Sequence, residues 1–297
     1  MFPTLGDILS FFIGIKVPLP INTFGFFLAC SLLFAGWIAT IEFRRLYLAG
    51  LLPKILMMGK DKKLVSVEPQ ECVGNATTIS ALTGIVGARI FHILEYPADF
   101  VEDPFGMLFS RGGFTFYGGM FFATICVIWY FRRLKLPVLR CADGACIAIL
   151  AAYALGRVGC QLAGDGDWGI PVDMSFKPDW LPTWLFAQTF EGNVIGAKIP
   201  LPGVYPTPMY ETIMCSILSG VLWMLRKHKH QAGWLFFLFF VFCGVERFLI
   251  ELIRVNSHYD LFGIPATQAE IIAVLLVSAG IAGLAKTWAP APAKVRA

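Results

Sequence analysis

Charge is what this chain has least of. Asp, Glu, Lys and Arg make up 15% of its 297 residues and hydrophobic residues 57%, whereas soluble domains carry about 25% charged residues. With a mean hydropathy of +0.69, an ordinary soluble globular fold is excluded. A disulfide or metal framework is missing as well. Cys30, Cys126, Cys146, Cys160, Cys215 and Cys243 lie in or at the ends of apolar blocks, and no C-x-x-C or other ligand spacing occurs. They read as small buried hydrophobes, and neither a metal nor a cofactor is expected. Met1–Ile15 is apolar but has no basic n-region and no A-x-A-like site, so it reads as an amphipathic interfacial segment rather than a cleaved signal. No internal repeat is visible. The net charge of +4 is modest and sits beside apolar blocks, so no nucleic-acid partner is expected.

What abounds is apolar sequence of spanning length. Blocks at Asn22–Ile41, Asn75–Ile93, Phe114–Phe131, Ala142–Leu162, Tyr210–Leu225, Trp234–Ile253 and Ala269–Leu284 each approach the ~20 residues a helix needs to cross a bilayer. Basic residues follow the first block (Arg44, Arg45, Lys54, Lys60, Lys62, Lys63), the third (Arg132, Arg133, Lys135, Arg140), the fifth (Arg226, Lys227, Lys229) and the last (Lys286, Lys294, Arg296). The alternate connectors are acidic, with Asp99, Glu102 and Asp103 in one and Asp165, Asp167, Asp173, Asp179 and Glu191 in the longest. Because basic connectors stay cytoplasmic, the pattern predicts the N-terminus outside and the C-terminus inside. The expected fold is an all-α polytopic membrane protein of about seven transmembrane helices, a single integral membrane domain over residues 1–297. Its longest connector, residues 164–209, is rich in Pro, Gly and Trp and reads as a folded extracytoplasmic or interfacial loop between the fourth and fifth spans. Ala289–Ala297 reads as a short disordered tail.

A few charges nevertheless lie where charge costs about 2.5–3.5 kcal/mol each: Arg89, Asp143, Arg157, Glu246, Arg247, Glu251 and Arg254. Such residues face a polar interior and mark a site. Arg247, Glu251 and Arg254 stand at i, i+4 and i+7, on one helical face. Glu251 can pair with either arginine, but Arg89 and Arg157 then leave more guanidinium than nearby intramembrane acids neutralise. Guanidinium prefers bidentate phosphate or carboxylate partners, so the expected missing anion is a phospholipid head group.

Glycines and prolines gather near the outward ends of the same blocks. Arg111-Gly112-Gly113-Phe114-Thr115-Phe116-Tyr117-Gly118-Gly119 opens the third. Gly156-Arg157-Val158-Gly159-Cys160 closes the fourth, followed by Ala163-Gly164-Asp165-Gly166-Asp167-Trp168-Gly169. Tyr205-Pro206-Thr207-Pro208-Met209-Tyr210-Glu211 leads into the fifth. Glycine permits close helix packing or backbone approach to a ligand, and the prolines fix an extended lead-in.

In this order, with Gly87-Ala88-Arg89 before them and Gly244-Val245-Glu246-Arg247-Phe248-Leu249-Ile250-Glu251 after, these segments resemble the bacterial prolipoprotein diacylglyceryl transferases over most of the chain. The resemblance implies transfer of the diacylglyceryl group of phosphatidylglycerol to the lipobox cysteine thiol of a prolipoprotein signal peptide, in the bacterial inner membrane, forming a thioether and releasing glycerol phosphate. Phosphatidylglycerol, prolipoprotein signal peptides and membrane lipids are the implied partners. Arg157, Arg247, Tyr117 and Glu211 are the implied catalytic residues. Arg89, Gly112, Gly113, Gly118, Gly119, Gly159, Cys160, Asp165, Tyr205, Tyr210, Glu251 and Arg254 are the implied substrate contacts. The chain departs from the family where Tyr117 replaces a histidine, Cys160 an asparagine, and Tyr205-Pro206-Thr207-Pro208 an H-P-S/T-Q element. Tyrosine, with a pKa of about 10, is not a base near neutrality, which leaves Tyr117, Asp165 and Glu211 as candidate acceptors of the thiol proton. Two other readings stay open: a divergent relative using another anionic lipid or acceptor, and a non-enzymatic lipid-binding or transport protein.

Overall fold

The computed structural model describes residues 1–59, 61–109, 115–256, 258–261 and 264–290. It opens with α1 (Leu5–Ile13), started by a capping box in which the Thr4 hydroxyl accepts from the Asp7 amide and the Asp7 carboxylate accepts from the Thr4 amide. Phe11, Phe12, Ile13 and Ile15, in and just after this helix, are all more than half exposed. There follow α2 (Thr23–Leu48), the hairpin β1 (Ile55–Met58) and β2 (Leu64–Val67), and α3 (Val73–Glu95). Two short helices, α4 (Pro97–Glu102) and α5 (Pro104–Phe109), lead to α6 (Phe116–Arg133) and α7 (Val138–Ala163). A long loop holding α8 (Thr183–Phe186) precedes α9 (Thr207–Leu225) and α10 (Trp234–Glu251). The hairpin β3 (His258–Leu261) and β4 (Ile264–Thr267) and then α11 (Gln268–Thr287) complete the order.

Among the described residues five helical segments, α2, Pro69–Glu95, α7, α9 and α11, are long and apolar enough to cross a membrane. Two further long helices are more polar: α6 closes on Arg132 and Arg133, and α10 carries Glu246, Arg247 and Glu251. The architecture is therefore mostly helical and polytopic, as expected from the apolar blocks. Some ends differ. α2 runs past Ile41 to Leu48, since Arg45 pairs with buried Glu42 at 2.8 Å and a cation suits a final helical turn. The two hairpins depart from an all-α fold; in the first, Ile55 faces Val67 and Met58 faces Leu64. At four residues per strand they were hidden among charged connector residues. Of the tail expected over Ala289–Ala297, residues 291–297 lie outside the described residues, and Pro290 is not loose but bridges to His230.

Contacts divide the chain into two compact units, residues 36–145 and residues 1–35 with 146–297. The smaller unit is built on the α3–α6 pair. A Cβ on Gly87 would lie 2.5 Å from the Phe122 Cβ and 2.6 Å from the Gly118 carbonyl oxygen, and one on Gly119 would lie 2.9 Å from the Gly84 carbonyl oxygen. Close approach of the two backbones thus requires glycine on both sides. At one end of this pair Phe43, Leu46, Ile55, Val73 and Phe131 form a buried cluster.

In the larger unit α10 packs on α11 through Gly244, whose Cβ would fall 2.7 Å from the Ala273 carbonyl oxygen. The loop before α9 is tied to its surroundings by backbone bridges from Gly169 to Arg254 and from Pro171 and Gln188 to Val204. It has a small core of its own, with Val172, Phe186 and Ala187 packed against Leu181 and Tyr205.

Gly87→Leu overpacks the α3–α6 contact and should cost about 1–3 kcal/mol. A lowered thermal midpoint in detergent is expected, while Gly74→Ala on the same helix, with nothing within 4 Å of the added carbon, should leave it unchanged.

Candidate active site

Four separate segments of the larger unit bring charge to one place. On α7, Tyr153 and Arg157 are four residues apart and share a face. The first turns of α9 carry Glu211, which is 0% exposed. The end of α10 supplies Arg247 and Glu251, and Arg254 lies in the turn just beyond. Asp167 comes from the loop, brought in by the Gly169–Arg254 bridge and by the Ile170 amide donating to the Ile253 carbonyl at 2.8 Å. A side chain at Gly169 would run into the Ile253 carbonyl oxygen, so this approach needs glycine.

Glu211 is the shared partner. Arg157 pairs with its Oε2, and the Arg247 and Arg254 guanidiniums each lie 3.8 Å from Oε1. The Tyr153 hydroxyl also donates to Oε1 at 3.0 Å. Around this centre Arg247 pairs with Glu251 at 2.9 Å, Arg254 pairs with Asp167 at 2.7 Å, and Arg157 pairs with the other Asp167 oxygen. Asn256 Nδ2 donates to Glu251 at 2.6 Å. Arg157 Nη1 also donates to the Cys160 sulfur at 3.2 Å.

Three guanidiniums therefore meet three paired carboxylates. Among the described residues of this unit these arginines leave none of the expected surplus of positive charge, because Asp167 arrives from outside the apolar blocks. Arg157 Nε and Glu246 Oε1 are among the buried polar atoms of the described residues that have no hydrogen-bond partner. Cys160, Asp165 and Asp167 present ligand atoms within 4.8 Å of one another. A cation would have to compete there with Arg157 and Arg254, which already hold Asp167.

The other expected site residues have varied surroundings. Asp165 Oδ1 accepts from the Asp167 amide at 3.3 Å, and among the described residues no arginine pairs with it. The Tyr210 hydroxyl donates to the Leu185 carbonyl at 2.8 Å, and the Tyr205 ring meets Phe186 edge-on at 5.3 Å, so both anchor the loop. Gly159 faces Phe27, where a Cβ would lie 2.7 Å from that residue's own. Arg89, Tyr117, Gly118 and Gly119 belong to the smaller unit. There Arg89 donates to the Met107 carbonyl at 2.8 Å, and Gly118 and Gly119 face α3. Gly112 and Gly113 lie outside the described residues. Sequence reasoning singled out neither Tyr153 nor Asn256, and it placed Asp167 among the acids of a connector and in the Ala163–Gly169 stretch without giving it a role. The one available signal was the i, i+4 spacing of Tyr153 to Arg157.

Fold and site together define a polytopic helical membrane protein with a buried arginine–carboxylate centre where loop and helix ends meet. The chain belongs to the prolipoprotein diacylglyceryl transferase family, whose model matches residues 11–286. It is similar to the phosphatidylglycerol–prolipoprotein diacylglyceryl transferase of Symbiobacterium thermophilum, with 30% identity over 68% of this chain and 72% of that protein. The proteins of the same name from Shouchella clausii and Leptospira interrogans are 28% and 26% identical, over 72% and 74% of this chain and 74% and 73% of theirs.

Removing the shared carboxylate with Glu211→Ala strands buried guanidiniums and should lower stability by about 3–5 kcal/mol, read as a fall in thermal midpoint. Asp167 gives a pH signature. Burial raises its proton affinity, but Arg157 and Arg254 outweigh burial and hold its carboxyl below the ordinary carboxylate value. With the folded value below the unfolded one of about 3.9, Asp167 stabilises the fold above that pH, and the contribution is lost as pH falls through the depressed folded value. Thermal midpoints of Asp167→Asn should accordingly fall less steeply below about pH 4 than those of the parent.

Proposed function

We propose that this protein transfers the diacylglyceryl group of phosphatidylglycerol to the lipobox cysteine of prolipoproteins, in the inner membrane of a bacterial cell. The observation that carries this reading is the convergence of Arg157, Arg247 and Arg254 on one buried carboxylate. A phosphodiester offers the same pair of acceptor oxygens as a carboxylate, so the head group competes with Glu211, Asp167 and Glu251 for guanidinium. The partnerless Arg157 Nε is a donor ready for it.

In this reading the thiolate attacks the glyceryl carbon. The S–C bond forms as the C–O bond to phosphate breaks, and the electron pair leaves on the glycerol phosphate oxygen. Arg157 and Arg247 stabilise the charge that builds there, an effect strengthened by their burial. The thiol proton passes to Asp165, because Glu211 already has both oxygens engaged by donors, whereas Asp165, which meets the Asp167 amide and the Cys160 thiol, pairs with no arginine among the described residues. Arg89 keeps a role on family likeness alone, and Tyr117, which stands where the family has a histidine, only by its position in the motif. The topology proposed with this function has seven crossings, N-terminus outside, and one membrane domain over residues 1–297.

The test incubates purified protein with phosphatidylglycerol and a lipobox peptide, following peptide mass and released glycerol phosphate together. A diacylglyceryl mass gain is expected, with Arg157→Ala and Arg247→Ala slowed at least ~10²-fold. Tyr117→Phe should stay active and Asp165→Asn should not. Product formation at the parent rate by either arginine variant would refute the assignment.

A further inference from the structure

The β1–β2 hairpin takes no part in this site, and its two faces differ in character. Ile55, Met57 and Val67 point inward, against Phe43 and Leu46 at the end of α2, Val73 at the start of α3 and Phe131 at the end of α6. The hairpin is thereby clamped to the ends of three long helices. On the opposite face Leu56, Met58 and Leu64 are 60%, 71% and 69% exposed, with Met58 and Leu64 directly paired across the strands. Side chains two apart on a strand share a face, so the three form one uncovered apolar patch.

Basic residues outnumber acidic ones in the segments that surround this patch. In sequence the hairpin holds Lys54, Lys60, Lys62 and Lys63 against Asp61. Lys54, Lys62 and Lys63 are exposed, as are Arg132 and Arg133 at the end of α6 and the acids Asp61, Glu68 and Glu71. A soluble partner is not needed to explain an apolar face ringed by lysine at this position. The helices it caps include two long and apolar enough to cross a bilayer, so the bilayer boundary lies within reach of the hairpin. Apolar side chains that sink into the head-group boundary, with lysines pairing to lipid phosphates, are how a surface element binds an anionic membrane.

We propose that the β1–β2 hairpin is an interfacial foot, which inserts Leu56, Met58 and Leu64 into an anionic phospholipid surface and holds the lipid phosphates with Lys62 and Lys63. This is independent of the transfer reaction. The test uses the full chain in nanodiscs containing a phosphatidylglycerol or a phosphatidylcholine that carries a photoreactive group near the head, with lipid adducts mapped by peptide mass. Peptides covering residues 54–67 should carry the phosphatidylglycerol adduct, and more of it than the phosphatidylcholine adduct. Adducts on α2 serve as the internal standard for correct insertion. Lys62→Glu with Lys63→Glu should lower the hairpin adduct roughly tenfold, and Leu56→Ser with Met58→Ser and Leu64→Ser should nearly abolish it, both with α2 labelling unchanged. An unlabelled hairpin beside labelled α2 would overturn the proposal, as would equal labelling by the two lipids.

Discussion

The larger unit is organised around a carboxylate that three arginines share. Glu211 alone, buried at a helix start in a membrane protein, would be an expensive residue. So would Arg157 on α7. Each makes the other tolerable, and because Arg247 and Arg254 lean on the same oxygen, α7, α9, the end of α10 and the loop acid Asp167 become one electrostatic object. The hydrogen bond from Tyr153 and the Gly169–Arg254 bridge serve this object by fixing the approach of its members.

Charge balance gives the centre its chemical character. In the proposed function an anionic head group meets not vacant arginines but arginines already holding carboxylates, which makes the proposed binding an exchange of acceptors rather than the filling of an empty positive pocket. Asp167 is the exchangeable member. It sits on a loop, its side chain is 37% exposed against 0% for Glu211 and Glu251, and it bridges two guanidiniums in the way a phosphate could. A centre of this kind discriminates by geometry as well as charge, since a competing anion has to match the spacing that Asp167 spans.

Much of this was legible in the order of residues. Long apolar blocks marked the helices, and the i, i+4, i+7 stripe of Arg247, Glu251 and Arg254 marked the site, because charge inside apolar sequence is rarely idle. Arg157 stood out for the same reason. The balance of charge was not legible, because Asp167 lies in a stretch where acids are cheap and only the folded loop brings it to Arg157. Asp165, two residues earlier, looked equivalent by spacing; backbone geometry sends one acid to the arginines and leaves the other beside Cys160. The glycines show a similar limit. Gly118 and Gly119 in a glycine-rich opening suit either a ligand or a helix neighbour, and the contact with Gly84 and Gly87 becomes apparent only once α3 and α6 are paired.

The ion pair between Arg247 and Glu251 also bears on how the protein is made. α10 carries three charged residues within 18, a burden for a helix that must enter a bilayer. Since Arg247 and Glu251 lie one turn apart and pair within the helix at 2.9 Å, α10 carries the neutralising partner of its own arginine. Arg157 has no such companion on its own helix: its carboxylate partners come from Asp167 and Glu211, later in the chain. The two arginines thus differ in order of assembly: Arg247 brings its acid on its own helix, whereas Arg157 acquires partners only as Asp167 and then Glu211 follow it in the chain.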